Sequence, residues 1–332
     1  MDIGATATRA LVVDATGHRR GAGRSAGGNP TAHRPEVWTG AISDAVGQAL
    51  AEAGPVTVGS VVAGVAGSGA LADGDTAASF ERAIRAGAGC ACGIRVTSDL
   101  VVAFSAGTPE PDGTILVAGT GAAAAAIRGR SPVRVVDGHG WLLGDGGSGF
   151  WAGREAVRAA LADLDGRGPP TSLRCLVAET LLGRDAGRDL RRDPGRDGAE
   201  MRAWRMSRAI VQAVHARPPV ELSALAPLVS RCASEGDQVA AGIARNAAGQ
   251  LLSAVKAVRA PAEDTPIVLT GGVAAGDHMV ALLLRQGLDA HWPGSVRLSR
   301  DGVAGAAWLA LASLPAIERE ELAELHRALI EP

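Results

Sequence analysis

The chain contains no tyrosine, only three phenylalanines and a single lysine, Lys256, so its positive charge is carried by arginine. With 45 glycines alongside, that skew reads as genome composition rather than function. No run of about 18 apolar residues occurs, and no charged segment leads into an apolar one at the start. Neither a membrane span nor a secretory leader is read, and a cytoplasmic protein is expected. Basic blocks are missing too. The formal net charge is −2 and the pI about 6.4, which offers no electrostatic footprint for nucleic acid or an anionic membrane surface. Nor is there an internal repeat of roughly 20–50 residues.

Cysteine is scarce, at Cys90, Cys92, Cys175 and Cys232. Cys90-Ala91-Cys92 is too tight for an ordinary disulfide framework or a C-x-x-C metal knuckle, and no second pair stands at ligand spacing. Buried or partly buried free thiols are expected.

What remains is an ordinary globular balance, 47% hydrophobic against 20% charged. At 332 residues the chain is long for one core, so two domains are expected. The first strand reads as Met1 to Asp14, with its conspicuous Asp already at position 2. Several apolar residues usually lead into such a turn, so either the start is trimmed or the strand is short. A polar stretch, Ser25 to Arg34, follows. Apolar spacing predicts a helix over 35–53, a buried strand Val58 to Val65, a helix Thr76 to Arg85, a strand Ile94 to Thr97 and a helix from Leu100 to Ala106. This β, α, β, α, β order has acidic or Gly-rich turns at the strand ends, where ligands gather in open α/β sheets.

A second α/β unit begins after Pro109-Glu110-Pro111-Asp112-Gly113, with strand Thr114 to Ala118 and an apolar run Ala122 to Ile127. Residues 151–260 read as mainly helical, interrupted by an Arg/Asp/Gly-rich exposed loop at 183–198. Thr265 to Leu269 is a further strand, Gly305 to Leu314 a helix, and 316–331 a charged amphipathic tail.

Five segments carry chemistry. Asp2-Ile3-Gly4-Ala5-Thr6-Ala7-Thr8 is a hairpin whose backbone N–H groups and hydroxyls can face phosphate oxygens, with Asp2 able to hold Mg²⁺ through water. A plain structural hairpin is the alternative. Val117-Ala118-Gly119-Thr120-Gly121-Ala122 repeats that logic, and two such turns can hold a nucleotide from opposite walls of a cleft. Leu269-Thr270-Gly271-Gly272 ends a strand so that backbone can approach a flat ligand, or is simply a tight βα turn. Ser98-Asp99, at the mouth of a buried strand, places a carboxylate for a proton-accepting role or for helix capping. Finally, Asp137 to Trp151 packs glycines, two Asp, one His and two Trp into fifteen residues, a mixture suited to a sugar-binding loop.

In this order the segments resemble the BadF/BadG/BcrA/BcrD-type ATPase family, and within it the N-acetylglucosamine kinases, part of the actin, heat-shock protein and hexokinase superfamily. The resemblance runs from Asp2 to Leu311. Asp2 to Thr8 is similar to the family's first phosphate segment, D-G-G-G-T-x-T, and Val117 to Ala122 to the second, G-T-G-S. Leu269 to Val273 resembles the adenosine segment, Asp99 the catalytic Asp, and the stretch from Gly138 the sugar loop G-W-G-H-x-x-G-D-E-G-S. Asn29, after Gly27-Gly28, stands where these kinases carry a sugar-contacting Asn. The chain departs from the pattern at Ala5 for Gly, at Ala122 for Ser, at His139 and Trp141, whose residue types are exchanged, and at Gly146 for Glu.

The resemblance implies two actin-like, ribonuclease H-like α/β domains with a nucleotide and sugar cleft between them, and a possible homodimer. The expected domains are 1–112 and 113–304, with C-terminal helices at 305–332 packing back on the first. It implies ATP and Mg²⁺ as cofactors and transfer to the 6-hydroxyl of an amino sugar, N-acetylglucosamine or glucosamine. Asp99 would be catalytic, and Asn29, His139, Gly140 and Asp145 would bind the sugar. Gly4, Thr6, Thr8, Gly119, Thr120, Gly121, Gly271 and Gly272 would bind ATP, and Asp2 the metal. Two rivals share the fold: a non-catalytic sugar sensor, and the iron–sulfur ATPase activator of 2-hydroxyacyl-CoA dehydratases, which needs cysteines not suitably placed here.

Overall fold

The computed structural model describes residues 1–67, 69, 73–89, 92–191, 199–315, 317–318 and 320–330. It holds two five-stranded sheets built to one plan. The first comprises β1 (Asp2–Ile3), β2 (Thr8–Val13), β3 (Arg19–Ser25), β4 (Ser60–Val65) and β5 (Gly93–Ser98), in the order β3-β2-β1-β4-β5. The second comprises β6 (Gly113–Ala118), β7 (Ala122–Arg128), β8 (Ser131–Asp137), β9 (Ile267–Thr270) and β10 (Val296–Ser299), in the order β8-β7-β6-β9-β10. In each sheet the first three strands form an antiparallel meander and the last two run parallel to the first.

Helices α1 (Pro35–Ala53) and α2 (Gly74–Ala88) cover one face of the first sheet. Pro35 sits in the first turn of α1, where its missing N–H costs nothing, and Asp73 caps α2 by accepting from Thr76 N. The strand β3 escapes the sequence because Arg-Arg-Gly-Ala-Gly-Arg-Ser shows no apolar alternation. Its glycine is a packing requirement: a Cβ at Gly23 would stand 1.9 Å from Ala45 O of α1. The single strand expected over Met1 to Asp14 is a hairpin, β1 and β2, joined by residues 4–7.

Helix α3 (Asp99–Ser105) lies between the sheets. Val101 and Val102 pack with β4 and with helix α11 (Gly302–Leu311), whereas Phe104 packs with Ile115, Ile127 and Val268 of the second sheet. Helix α12 (Glu321–Ile330) joins the α11 side through Leu329, and Trp308 Nε1 donates to Leu322 O. The tail read as charged and amphipathic is therefore a docked helix over 321–330.

The larger core lies in the second half, where α4 (Gly149–Leu164), α5 (Leu173–Leu182), α6 (Arg184–Arg191), α7 (Ala199–His215), a 3₁₀ turn (Pro219–Leu225), α8 (Ala226–Ser234), α9 (Gln238–Val258) and α10 (Met279–His291) gather around the sheet. The loop expected over 183–198 is corrected in part. Residues 184–191 are helical, packed on α5 through the buried Gly187, and 192–198 lie outside the described residues. The free-thiol expectation holds for Cys175 and Cys232, both buried, and fails at Cys92, which is disulfide-bonded. Cys90 lies outside the described residues.

Candidate active site

Strand register gathers the motifs on one edge of each sheet. Asp2 aligns with Gly64 and Gly64 with Thr97, while Ile3 aligns with Val65 and Val65 with Ser98. The chain therefore emerges at Gly4, Ala66 and Asp99 side by side, at the carboxyl ends of the parallel strands. In the second sheet Val117 aligns with Thr270 and Thr270 with Ser299, so Gly119, Gly271 and Arg300 follow on the corresponding edge.

The first turn closes through Gly4 N to Ala7 O at 2.9 Å, and Gly28 N donates to Gly4 O at 3.2 Å. His33 Nε2 meets Ala5 O at 2.7 Å, fastening the 26–34 loop onto the turn. Among the described residues no group accepts from the N–H of Ala5 or Thr6, which stand free for an anion. Thr6 is exposed. Thr8 is fully buried, its hydroxyl enclosed beside Gly28 without a hydrogen-bond partner, so it supports the turn from beneath.

The second turn closes through Gly119 N to Gly121 O at 2.9 Å. Its carbonyls are taken by the start of α4: Gly149 N donates to Gly119 O at 2.7 Å and Phe150 N to Thr120 O at 3.1 Å. The N–H groups of Thr120 and Gly121 keep no protein acceptor among the described residues. Thr6 and Thr120 line one cavity of about 520 Å³. Gly119, Thr120 and Gly272 line a neighbouring one of about 860 Å³, so both glycine turns and the third motif open onto adjoining space that meets at Thr120. Gly271 is locked in place: its φ is +88°, and a Cβ there would lie 2.4 Å from Ala118 O, the acceptor for Val273 N.

Asp99 opens α3, with Ser98 as the capping residue that accepts from Leu100 N. Its Oδ1 accepts from Ser98 Oγ at 3.2 Å and from Leu100 N at 3.0 Å. Burial pushes the Asp99 carboxyl above the usual range against those hydrogen bonds, and the nearby Asp2 charge adds to the rise. Asp2 itself is ion-paired with Arg9, and Arg9 also faces Asp301 at 3.9 Å. Gly302 brings the start of α11 against Asp2, since a Cβ there would stand 3.0 Å from its carboxylate. Sequence reasoning passed over Arg9 and Asp301-Gly302, because their proximity to Asp2 arises only from the β1–β2 pairing and the return of the C-terminal chain.

Asn29 is buried, and its Oδ1 accepts from Thr31 N at 2.8 Å and Thr31 Oγ1 at 2.6 Å. Its Nδ2 keeps no acceptor among the described residues. It stands beside Gly67, just past the end of β4. Asp145 is also buried and sits at φ +58°, its Oδ1 accepting from Ala122 N at 3.2 Å behind the second turn. Burial raises its carboxyl too, offset in part by that amide and by His139. His139 and Gly140 are exposed on the turn that follows β8.

That turn is organised by Asp137, which the sequence placed in the loop without a role of its own. Asp137, at φ +65°, accepts from Asp145 N at 2.6 Å and from Gly146 N at 2.9 Å. The Asp137-Gly138 pair, a turn-forming dipeptide, was the signal available. The departure at Gly146 also has a structural reason. Gln250 of α9 places its Oε1 2.6 Å from where a Cβ would stand, so its amide holds the space of a longer side chain.

Asp2 suits a water-held Mg²⁺: it offers a carboxylate with one oxygen outside the Arg9 pair, at 17% side-chain exposure. Among the described residues no group of three or more His, Cys, Asp or Glu could hold a metal directly, and an ion held through water needs none.

A protein of Clostridium acetobutylicum named N-acetylmuramic acid/N-acetylglucosamine kinase is 28% identical over 165 residues, 50% of this chain and 48% of that one, so the match spans about half of each. The solved structure of a candidate N-acetylglucosamine kinase from Porphyromonas gingivalis superposes with a TM-score of 0.71 at 19% identity, covering 94% of this chain and 98% of that one. One from Chromobacterium violaceum gives 0.67 at 21% identity, covering 93% and 96%. These structures establish the two-domain actin-like fold. The family pattern itself matches residues 1–310, and the chain belongs to the BadF/BadG/BcrA/BcrD ATPase family.

Proposed function

We propose that the chain is an ATP-dependent sugar kinase that transfers the γ-phosphoryl group of ATP to the 6-hydroxyl of an amino sugar, N-acetylglucosamine or glucosamine. The observation that carries this reading is the pair of glycine hairpins, one from each sheet. Their unengaged N–H groups open onto adjoining cavities, and the half-buried Asp99 lies on the same sheet edge as the first.

On this reading Thr6 with the Ala5 and Thr6 amides, and Thr120 with its own and the Gly121 amide, bind phosphate oxygens. Gly271 and Gly272 admit the adenosine. Mg²⁺ held through water at Asp2 would neutralise phosphate charge. Asn29 Nδ2, His139, Gly140 and Asp145 orient the sugar. Asp99 accepts the proton as the sugar oxygen bonds to the γ-phosphorus and the bond to the β–γ bridging oxygen breaks, releasing ADP. Most of the acceleration comes from fixed donors on phosphate charge in a cleft that excludes water. Burial serves this role, because a carboxylate raised above the ordinary range is a stronger base.

The same reading takes residues 1–112 and 113–304 as the closing domains and 305–332 as helices belonging to the first. It has an amino sugar and ATP as partners, a cytoplasmic setting and a possible homodimer. One observation favours the sensor alternative: Arg9 already neutralises Asp2. The product decides between them. Phosphorus–proton correlation NMR of a reaction with N-acetylglucosamine and ATP should show the new phosphate coupled to the C6 protons. Coupling to another carbon would overturn the 6-hydroxyl assignment, and no new ester would favour the sensor.

A further inference from the structure

The amides left free in the two turns are those of Ala5 and Thr6 in the first and of Thr120 and Gly121 in the second. In a trans peptide the N–H points away from the C=O of the same unit, and no peptide bond among the described residues is cis. A donor that holds the carbonyl of one residue therefore aims the N–H of the next residue the opposite way.

Each of these free amides is aimed in this manner. Gly149 N donates to Gly119 O at 2.7 Å, behind the Thr120 amide, and Phe150 N to Thr120 O at 3.1 Å, behind that of Gly121. In the first turn Gly28 N donates to Gly4 O at 3.2 Å, behind the Ala5 amide. The unit that carries the Thr6 amide is held by a side chain instead, with His33 Nε2 at 2.7 Å from Ala5 O. A carbonyl oxygen only accepts, so that ring nitrogen carries the proton and donates.

The holders belong to the segments that carry the expected sugar contacts. Gly149 and Phe150 begin α4, capped by Ser148, whose N–H donates to Asp145 O at 3.1 Å. His33 shares one turn with Asn29: its N–H donates to Asn29 O at 3.1 Å, while Thr31 N and Oγ1 hold Asn29 Oδ1. This loop lies so close to the hairpin that a Cβ at Gly27 would stand 1.9 Å from Ala5 O and 2.7 Å from His33 Nε2. One turn of backbone and one imidazole thus connect Asn29 to the Ala5–Thr6 peptide.

Resting on the kinase reading, we propose that His33 is a positioning residue that aims the Thr6 amide at a phosphate oxygen and ties nucleotide affinity to the sugar at Asn29. Sugar held by Asn29 fixes the turn, and with it His33 and the peptide that it holds. By linkage, nucleotide strengthens sugar binding by the same factor.

The test reads binding rather than turnover. Calorimetry of the full chain with Mg²⁺ and a non-hydrolysable ATP analogue, with and without saturating N-acetylglucosamine, compares the wild type with His33→Ala and His33→Gln. Gln presents an amide N–H at the place of the ring Nε2. His33→Ala should weaken nucleotide binding by about 2–10-fold, the net weight of one hydrogen bond, and lose the enhancement by sugar. His33→Gln should restore both. Equal loss in the two variants, or wild-type affinity in His33→Ala, would overturn the positioning role. Enhancement by sugar that persists in His33→Ala would overturn the coupling. In the wild type the Thr6 amide proton should move downfield in NMR when the analogue binds, and a stationary Thr6 signal would overturn the proposal without recourse to any variant. A wild type that shows these binding effects yet forms no phosphate ester would fail the kinase reading alone.

Discussion

The two halves repeat one sheet, strand for strand, yet their glycine turns are equipped differently. The first turn is ringed by charge: Asp2 with Arg9, Asp301 beyond it, and Asp99 on the next edge. The second turn carries no charged side chain of its own and is braced from behind, by the start of α4 on its carbonyls and by Asp145 on Ala122 N. Shared topology thus provides two anion-facing hairpins, and the side chains divide the labour. On the proposed reading the first half manages protons and metal, and the second is a rigid cradle.

The comparison breaks most visibly at Asp99. Asp99→Asn keeps the helix start, since Ser98 supplies the cap, and removes the base. Turnover should fall by about 10²–10⁴, with the melting temperature unchanged or higher because a desolvated charge is removed. A similar loss from a substitution confined to the second turn, with Asp99→Asn active, would reverse the division of labour.

Adjacent glycines sharpen the view of the second half. Gly271→Ala meets the Ala118 carbonyl at a left-handed φ, and should cost on the order of 1–3 kcal/mol of stability in urea unfolding. Gly272→Ala meets nothing within 4 Å and lines the larger cavity. It should leave stability unchanged and raise the KM for ATP. Equal effects on stability would mean that the cradle is not rigid at Gly271.

The smallest effect concerns pH. A carboxylate acting as base works only when deprotonated, so activity should be lost as pH falls through the raised Asp99 value, above the ordinary Asp value of about 3.9. Asp2 contributes to that rise, so Asp2→Asn should move the Asp99 titration, followed by carboxyl carbon NMR, to lower pH. No movement would show that burial alone sets it.

Much of this was legible in the sequence because the motifs sit where local signals are strong. Gly4, Gly119 and Gly271 end apolar strands, and Ser98-Asp99 stands between a strand and a helix. What was hidden depended on partners distant in the chain. β3 has no alternating pattern, and its glycines make sense only against α1. Arg9 and Asp301 reach Asp2 through pairing and chain return, and Asp137 acts through backbone amides eight and nine residues on. The early position of Asp2 was readable; the pairing of the two-residue β1 with both β2 and β4 was not.

The central claim is tested most directly by ADP release with and without sugar, for the wild type and Asp99→Asn. The account predicts release that depends on N-acetylglucosamine or glucosamine and is lost in the variant. ADP release indifferent to every amino sugar and hexose, or unchanged by Asp99→Asn, would contradict it.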